Sequence, residues 1–225
     1  MKAKKAILSL MVIMGMALVL TGCSAIFDRI MDSSPSEVVD GIIEEIMTGN
    51  YVAGTIDGNN FESEWLGLRF AAPSGFIMAS QEEMNDMMQL GLDMLDMDRN
   101  LIAWADIAVV FEMMAMVPTG MASAHVATER IMLSGITIEQ YVEAAIGQLE
   151  STTGWQVHFN DDIRPINFAG QQWYTYTADI HALGMDWSYQ YLVRRFDNRM
   201  ALITIYSAAG HEDYIDALFN AFRAY

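Results

Sequence analysis

Apolar residues recur along this chain in two periods. Val38, Val39, Ile42, Ile43, Ile46 and Met47 follow Ser34-Pro35-Ser36-Glu37 at helical spacing, and Gly49-Asn50 stops them. The pattern predicts a short amphipathic helix over about 35–48. Met84, Met87, Met88, Leu92 and Leu95 follow Ser80-Gln81-Glu82-Glu83, which predicts a helix over 81–97. Ile138, Tyr141, Val142, Ala145, Ile146 and Leu149 follow Thr137-Ile138-Glu139-Gln140 and form the clearest helical stripe. Each start has a Ser or Thr with a Glu or Gln three positions on. That pair satisfies backbone N–H groups reciprocally at a helix N-terminus. A last helix is expected after His211, with Ile215, Leu218, Phe219 and Phe222 as its core face.

Elsewhere the period is two. Phe61 to Phe70 reads as a strand, a turn around Ser63-Glu64 and a second strand, Leu66 to Ala71, ended by Pro73-Ser74-Gly75. Ile102 to Met116 and Ala124 to Leu133 read as strands. After Gly154 come five more: Trp155–Phe159, Ile163–Phe168, Gln172–Ile180, Trp187–Phe196 and Met200–Tyr206. Ala169-Gly170, Ala182-Leu183-Gly184 and Asp197-Asn198 supply the turns. Pairing Gln172–Ile180 with Trp187–Phe196 sets Tyr174, Tyr176, Ala178 and Ile180 beside Trp187, Tyr189, Tyr191 and Val193. Thr175, Thr177, Ser188 and Gln190 take the other face. The aromatic face suits a cover of helices. Strands cluster rather than alternate with helices, so the fold class is α+β with a mainly antiparallel sheet packed against helices.

The N-terminus reads as an address. Lys2, Lys4 and Lys5 precede an apolar run from Ala6 to Leu20, short for a membrane span and suited to a signal peptide. The run ends in Leu20-Thr21-Gly22-Cys23, which resembles the bacterial lipobox. That resemblance implies cleavage between Gly22 and Cys23 and a lipid on the Cys23 sulfur, the only cysteine of the chain. Residues 1–22 are then a signal peptide. Residues 23–59 form a lipidated tether containing the 35–48 helix, with 51–60 a Gly-, Asn- and Asp-rich linker or loop. Residues 60–225 form one globular domain.

Charge narrows the partners. The 225 residues carry 12 Lys+Arg against 29 Asp+Glu. All three lysines lie in the first 22 residues, so the remainder holds nine arginines against 29 acids, a formal charge of −20. Such a surface repels nucleic acid and anionic headgroups, leaving the lipid as the membrane contact. No nucleic-acid partner is expected.

The stretch Asn60-Phe61-Glu62-Ser63-Glu64-Trp65-Leu66-Gly67-Leu68-Arg69-Phe70-Ala71-Ala72-Pro73-Ser74-Gly75-Phe76 resembles the opening hairpin of the PsbP-like fold. The Thr-Ile-Glu-Gln-Tyr helix start and the late aromatic hairpin add to the likeness, which spans about Asn60 to Tyr225. The resemblance implies an antiparallel sheet between helical layers and an extracytoplasmic interaction or assembly module, usually without catalysis. It assigns no functional residue.

Several clusters of residues have the composition of a chemical site. Met84, Met87, Met88, Met94 and Met97, with Met113, Met114 and Met116, suit Cu(I) as thioethers, but no His or Cys accompanies them and a core stripe explains them as well. Asp93, Asp96, Asp98 and Asn100 suggest calcium. The EF-hand pattern fails, because Leu101 stands where glycine is needed and Ile107 where glutamate is needed. Asp161 and Asp162 are a second acidic pair. His125, His158, His181 and His211 are scattered, with no HExxH, GxSxG or phosphate-loop motif. Trp173, Trp187, Tyr189 and Tyr191 suit either a ligand groove or a sheet core. Arg194, Arg195 and Arg199 suit either a carboxylate partner or nearby acids. The reading is a lipid-anchored binding or assembly module on the extracytoplasmic face of a membrane, with a protein partner at the cell surface, no catalytic residues, no cofactor and no metal. A solute-, calcium- or Cu(I)-binding lipoprotein and a hydrolase with a dispersed triad are the alternatives.

Overall fold

The computed structural model describes residues 51–94, 109–131, 136–151, 154–160, 162–182 and 184–225. The signal peptide, Gly22, Cys23, the 35–48 helix, Leu95, Asp96, Met97, Asp98, Asn100, Asp161, residues 102–108 of the strand expected from Ile102 to Met116 and residues 132–133 of that expected from Ala124 to Leu133 lie outside them.

Twelve strands and three helices make up the described chain. β1 is Thr55–Asp57, β2 Asn60–Ser63, β3 Leu68–Ala71 and β4 Ile77–Met78. Helix α1, Gln81–Met94, precedes β5 (Val109–Met116) and β6 (Ala122–Arg130). Helix α2, Ile138–Ser151, leads into β7 (Gln156–Phe159), β8 (Arg164–Phe168), β9 (Gln171–Ala182), β10 (Met185–Phe196) and β11 (Arg199–Ala208). Helix α3, Asp213–Phe219, and β12, Phe222–Ala224, close the chain. The α+β class with antiparallel pairing is therefore observed.

Both described capping boxes close as their sequences require. Ser80 N donates to Glu83 Oε2 at 2.8 Å, and Glu83 N donates to Ser80 Oγ at 3.2 Å. The Ser80 N–H, with the Ser80 hydroxyl that also donates to Glu83 Oε2 at 2.9 Å, holds the Glu83 carboxyl below its ordinary value. Thr137 N donates to Gln140 Oε1 at 3.0 Å, and Gln140 N donates to Thr137 Oγ1 at 3.2 Å.

The large sheet runs β4-β5-β6-β11-β10-β9-β7, with β8 also paired to β9. The β9–β10 register matches the expected one: Tyr176 faces Tyr191, Ala178 faces Tyr189 and Ile180 faces Trp187. Ala169 at φ 48° and Gly170 at φ 76° make the tight β8–β9 turn, both in the left-handed region that such a hairpin needs.

Helices cover one face of this sheet. Met84 and Met87 of α1, with Tyr141, Val142, Ala145 and Leu149 of α2, pack on Tyr176, Trp187, Tyr189 and Tyr191. The other face receives a second sheet, β1-β2-β3-β12, and α3. Phe61, Leu66, Leu68, Phe70, Leu218 and Phe222 meet Trp173, Leu192, Ala201, Ile203 and Ile205 there. The face that carries Thr175, Thr177, Ser188 and Gln190 is therefore an internal face over part of its length. Thr175 is buried and donates Oγ1 to the Tyr191 carbonyl at 2.8 Å. β6 and β11 are buried at every residue because layers cover them on both sides.

Two expectations need correction. Residues 51–60, expected as a linker or loop, contain β1, which pairs with β2 from Thr55↔Glu62 to Asp57↔Asn60. Phe222, expected on the last helix, lies in β12 opposite Phe70. Asn220 and Ala221 end the helix, and pairing with β3 offers the chain a ladder that a further helical turn would forgo.

Candidate functional site

Two places gather polar chemistry. The first is internal. β5 carries one extra residue relative to β6: Phe111 faces Ala127, Met113 faces Val126, and Glu112 between them has no cross-strand partner. A bulge of this kind re-aims a side chain. Glu112 is buried, at 3% exposure. Its Oε1 accepts from the Tyr51 hydroxyl at 3.1 Å and its Oε2 from Gly54 N at 2.9 Å. Tyr51 in turn accepts from Thr128 Oγ1 at 3.1 Å. The Arg199 guanidinium lies 4.0 Å from the centre of the Tyr51 ring. Burial raises the Glu112 carboxyl above its ordinary value, against the bonds from Gly54 and Tyr51 and the charge of Arg199. Burial also raises the Tyr51 phenol and lowers Arg199.

A raised carboxyl beside a tyrosine and an arginine has the makings of an acid–base group. Here the lining closes over it. Its hydrogen-bond partners are Tyr51 and Gly54 of the segment 51–54 and Ser63 of β2, so the cluster fastens that segment and the small sheet to the large sheet. Its one signal in the sequence is a charged residue inside the apolar run Val109–Met116.

Beside this fastening is an open groove of about 360 Å³ on the outer side of the small sheet. Val52, Thr55, Glu62, Glu64, Trp65 and Tyr225 line it. Val52 and Tyr225 are 70% and 50% exposed. Trp65 is held edge-on to Tyr51 at 5.0 Å and against Phe196 at 4.7 Å. Glu62 pairs with Arg69 at 3.4 Å, and Arg69 lies 4.7 Å from the Tyr225 ring centre.

The second place is on the large sheet, where β7, β9 and β10 lie side by side. A groove of about 440 Å³ there is bordered by His158, Asp179, His181, Asp186 and Ser188. The His181 ring meets Asp186 Oδ1 through Nδ1 at 2.6 Å. Ser188 Oγ donates to Asp179 Oδ1 at 2.8 Å, and Asn160 Nδ2 donates to Asp179 Oδ2 at 2.9 Å.

The remaining candidates disperse. Met84, Met87, Met113, Met114 and Met116 are buried, and Met113 sits in a different core layer from the other four. Trp173 lies on the opposite face of the sheet from Trp187, Tyr189 and Tyr191, so the four do not share a groove. Tyr189 stacks on Tyr191 at 5.6 Å and on Tyr206 at 5.1 Å inside the core. Arg195 donates to carbonyls of Asp197 and Ile136, while Arg194 lies over the Phe196 ring. His125 is buried beside Tyr206, and neither ring nitrogen has a hydrogen-bond partner. Burial pushes it down to about 3. His211 stacks on Tyr214 at the surface. Among the described residues no group of three His, Cys, Asp or Glu side chains could hold a metal ion, and no helix is long and apolar enough to cross a membrane.

No family model and no curated protein matches the chain. Among solved structures, cyanobacterial PsbP from Synechocystis sp. PCC 6803 aligns at 12% identity and a TM-score of 0.47, over 79% of this chain and 96% of that one. LpqN of Mycobacterium tuberculosis aligns at 9% identity and a TM-score of 0.41, over 69% and 82%. The Ran-binding protein Mog1p of Saccharomyces cerevisiae aligns at 12% identity and a TM-score of 0.37, over 76% and 96%.

Proposed function

We propose that this chain is a lipid-anchored, non-catalytic binding or assembly module on the extracytoplasmic face of a cell membrane. The observation that carries the reading is the groove of Val52, Trp65 and Tyr225 beside the point where segment 51–54 is fastened to the sheet. A lipid on Cys23 would hold this groove at the membrane surface through the tether. Local concentration then lets a weak contact suffice.

The groove's chemistry indicates the partner. Exposed apolar side chains stand beside Glu64 and Glu62 on a chain of formal charge −17. A protein segment that is basic and offers an aromatic or aliphatic side chain complements both features. The perturbed carboxyl of Glu112 is enclosed by the fastening rather than open to a bound molecule.

The test uses intact cells. Photo-crosslinking side chains placed at Val52 and Trp65 are expected to capture one discrete protein. The same group at Glu143, exposed on α2, is expected to capture none. Equal patterns at all three positions would overturn the groove as the contact. Cys23→Ala is expected to abolish fatty-acid labelling and release the protein from membranes; persistent labelling would overturn the anchor.

A further inference from the structure

The three arginines near the β10–β11 turn separate onto two faces of the sheet. Arg195 pairs with Met200, while Arg194 pairs with Ala201 and Phe196 with Arg199. Alternation therefore puts Arg194, Phe196, Arg199 and Ala201 on one face. Arg130 pairs with Arg199 from the next strand. Trp173 and Arg194 come next beyond Tyr174↔Val193, the last pair of the β9–β10 ladder. Trp173 packs in the same core layer as Ala201. Directly opposed side chains on neighbouring strands start about 5 Å apart and diagonal ones about 7–8 Å, within reach of long side chains.

Three buried nitrogens on this face have no hydrogen-bond partner: Trp173 Nε1, Arg194 Nη1 and Arg199 Nη1. Trp173 is fully buried and Arg199 is 7% exposed. Indole and guanidinium nitrogens only donate, so an acceptor must satisfy them. Among the described residues neither Arg194 nor Arg199 forms an ion pair. The nearby carboxyl of Glu112 is engaged by Tyr51, Gly54 and Ser63. A buried guanidinium without a counter-charge is costly. Burial lowers both Arg194 and Arg199 from their ordinary values, and the charge of Arg130 adds to this at Arg199.

We propose that Trp173, Arg194 and Arg199 bind the carboxylate of a small organic acid. The donors select an oxyanion, and a planar guanidinium matches a carboxylate in two-point contact. The surroundings are aromatic. The Arg194 guanidinium lies 4.4 Å from the Phe196 ring centre and that of Arg199 lies 4.0 Å from the Tyr51 ring centre. Trp65 packs against both rings, at 4.7 and 5.0 Å, and Trp173 meets Phe196 at 6.2 Å. Such walls accept the apolar body of an acid and disfavour a dianion such as phosphate, which costs more to dehydrate. Arg194 and Phe196 are half-buried and give the acid a way in. The burial of Trp173 and Arg199 excludes the surface side chains of a folded partner, so the ligand is a free small molecule.

The test is a titration of the full chain in detergent with potassium acetate and, separately, potassium benzoate. Ionic strength is held constant with potassium fluoride, and binding is read by tryptophan fluorescence and melting temperature. One saturable site is expected in both readouts. Arg194→Gln and Arg199→Gln should each weaken it by about tenfold or more, and Trp173→Phe by roughly 2–10-fold. Arg195→Gln, on the other face, should leave it unchanged. Circular dichroism checks the fold of each variant, and the wild-type titration decides whether the site exists even where a variant fails to fold. Potassium chloride and potassium phosphate are the comparison arms. Absence of a saturable site, binding that survives loss of both arginines, or equal binding of chloride or phosphate would overturn the proposal. None of the varied residues lines the groove of Val52, Trp65 and Tyr225, so either result leaves that reading to its own test.

Discussion

The Tyr51 hydroxyl donates to Glu112 across 61 positions of the chain, at 3.1 Å. This bond and that from Gly54 join the segment leading from the N-terminal region to β5, next to the β4 edge of the large sheet. Removing the carboxylate with Glu112→Ala leaves a phenol and a backbone N–H to find other partners. A loss of about 1–3 kcal/mol in urea unfolding is expected.

Glu112 also predicts a pH dependence. Burial raises its carboxyl above the ordinary value in the folded state. The folded protein then holds that proton more tightly than the unfolded chain. The resulting stabilisation is complete below about 4.5, the ordinary value, and is lost as pH rises through the folded value. The stability of the wild type relative to Glu112→Gln should therefore increase as the solution is acidified. A difference that stays flat with pH would contradict the raised value.

His125 predicts the opposite slope. Its folded value of about 3 lies below the ordinary 6.5, so the unfolded chain takes the proton first. Stability is lost as pH falls between those values, by up to about 1.4 kcal/mol per pH unit. His125→Phe removes both this loss and two unpartnered ring nitrogens. The variant should gain on the wild type as pH falls below 6.5, measured by thermal unfolding across a pH series.

Two glycines should respond with opposite signs. A Cβ at Gly54 would stand 2.3 Å from Phe61 Cε2 and 2.9 Å from the Glu62 carbonyl oxygen. Phe61 is fully buried and cannot move aside freely. Gly54→Ala should cost about 1–3 kcal/mol. Gly147, exposed within α2, has nothing within 4 Å of a built Cβ. Gly147→Ala should add about 0.5–1 kcal/mol by helix propensity. Denaturant midpoints of the two variants decide both.

The C-terminal strand should matter more than its length suggests. Phe222 is 3% exposed and packs 4.7 Å from Phe70 and 5.3 Å from Phe168, ring centre to ring centre. Phe222→Ala should cost about 3–5 kcal/mol, and limited proteolysis should then open the small sheet first. An unchanged midpoint would place Phe222 outside the cooperative core.

Whatever depends on neighbours in the chain is legible in the residues alone. The capping boxes at Ser80 and Thr137, the stripe of α2 and the β9–β10 register follow from local spacing, because a helix repeats over a few residues and a hairpin fixes its register at the turn. The tertiary structure alone decided what covers each face. Period two says that Tyr176 and Tyr191 share a side, but not that a second sheet encloses Trp173 on the other. It also decided the long-range meetings. β1 and β12 are too short to show a period, and they exist because β2 and β3 offer them ladders. Glu112 reaches Tyr51 only because the β5 bulge turns it there. His158 and His181 read as scattered along the chain; antiparallel pairing sets their strands side by side, and only that pairing gives the two rings a common groove.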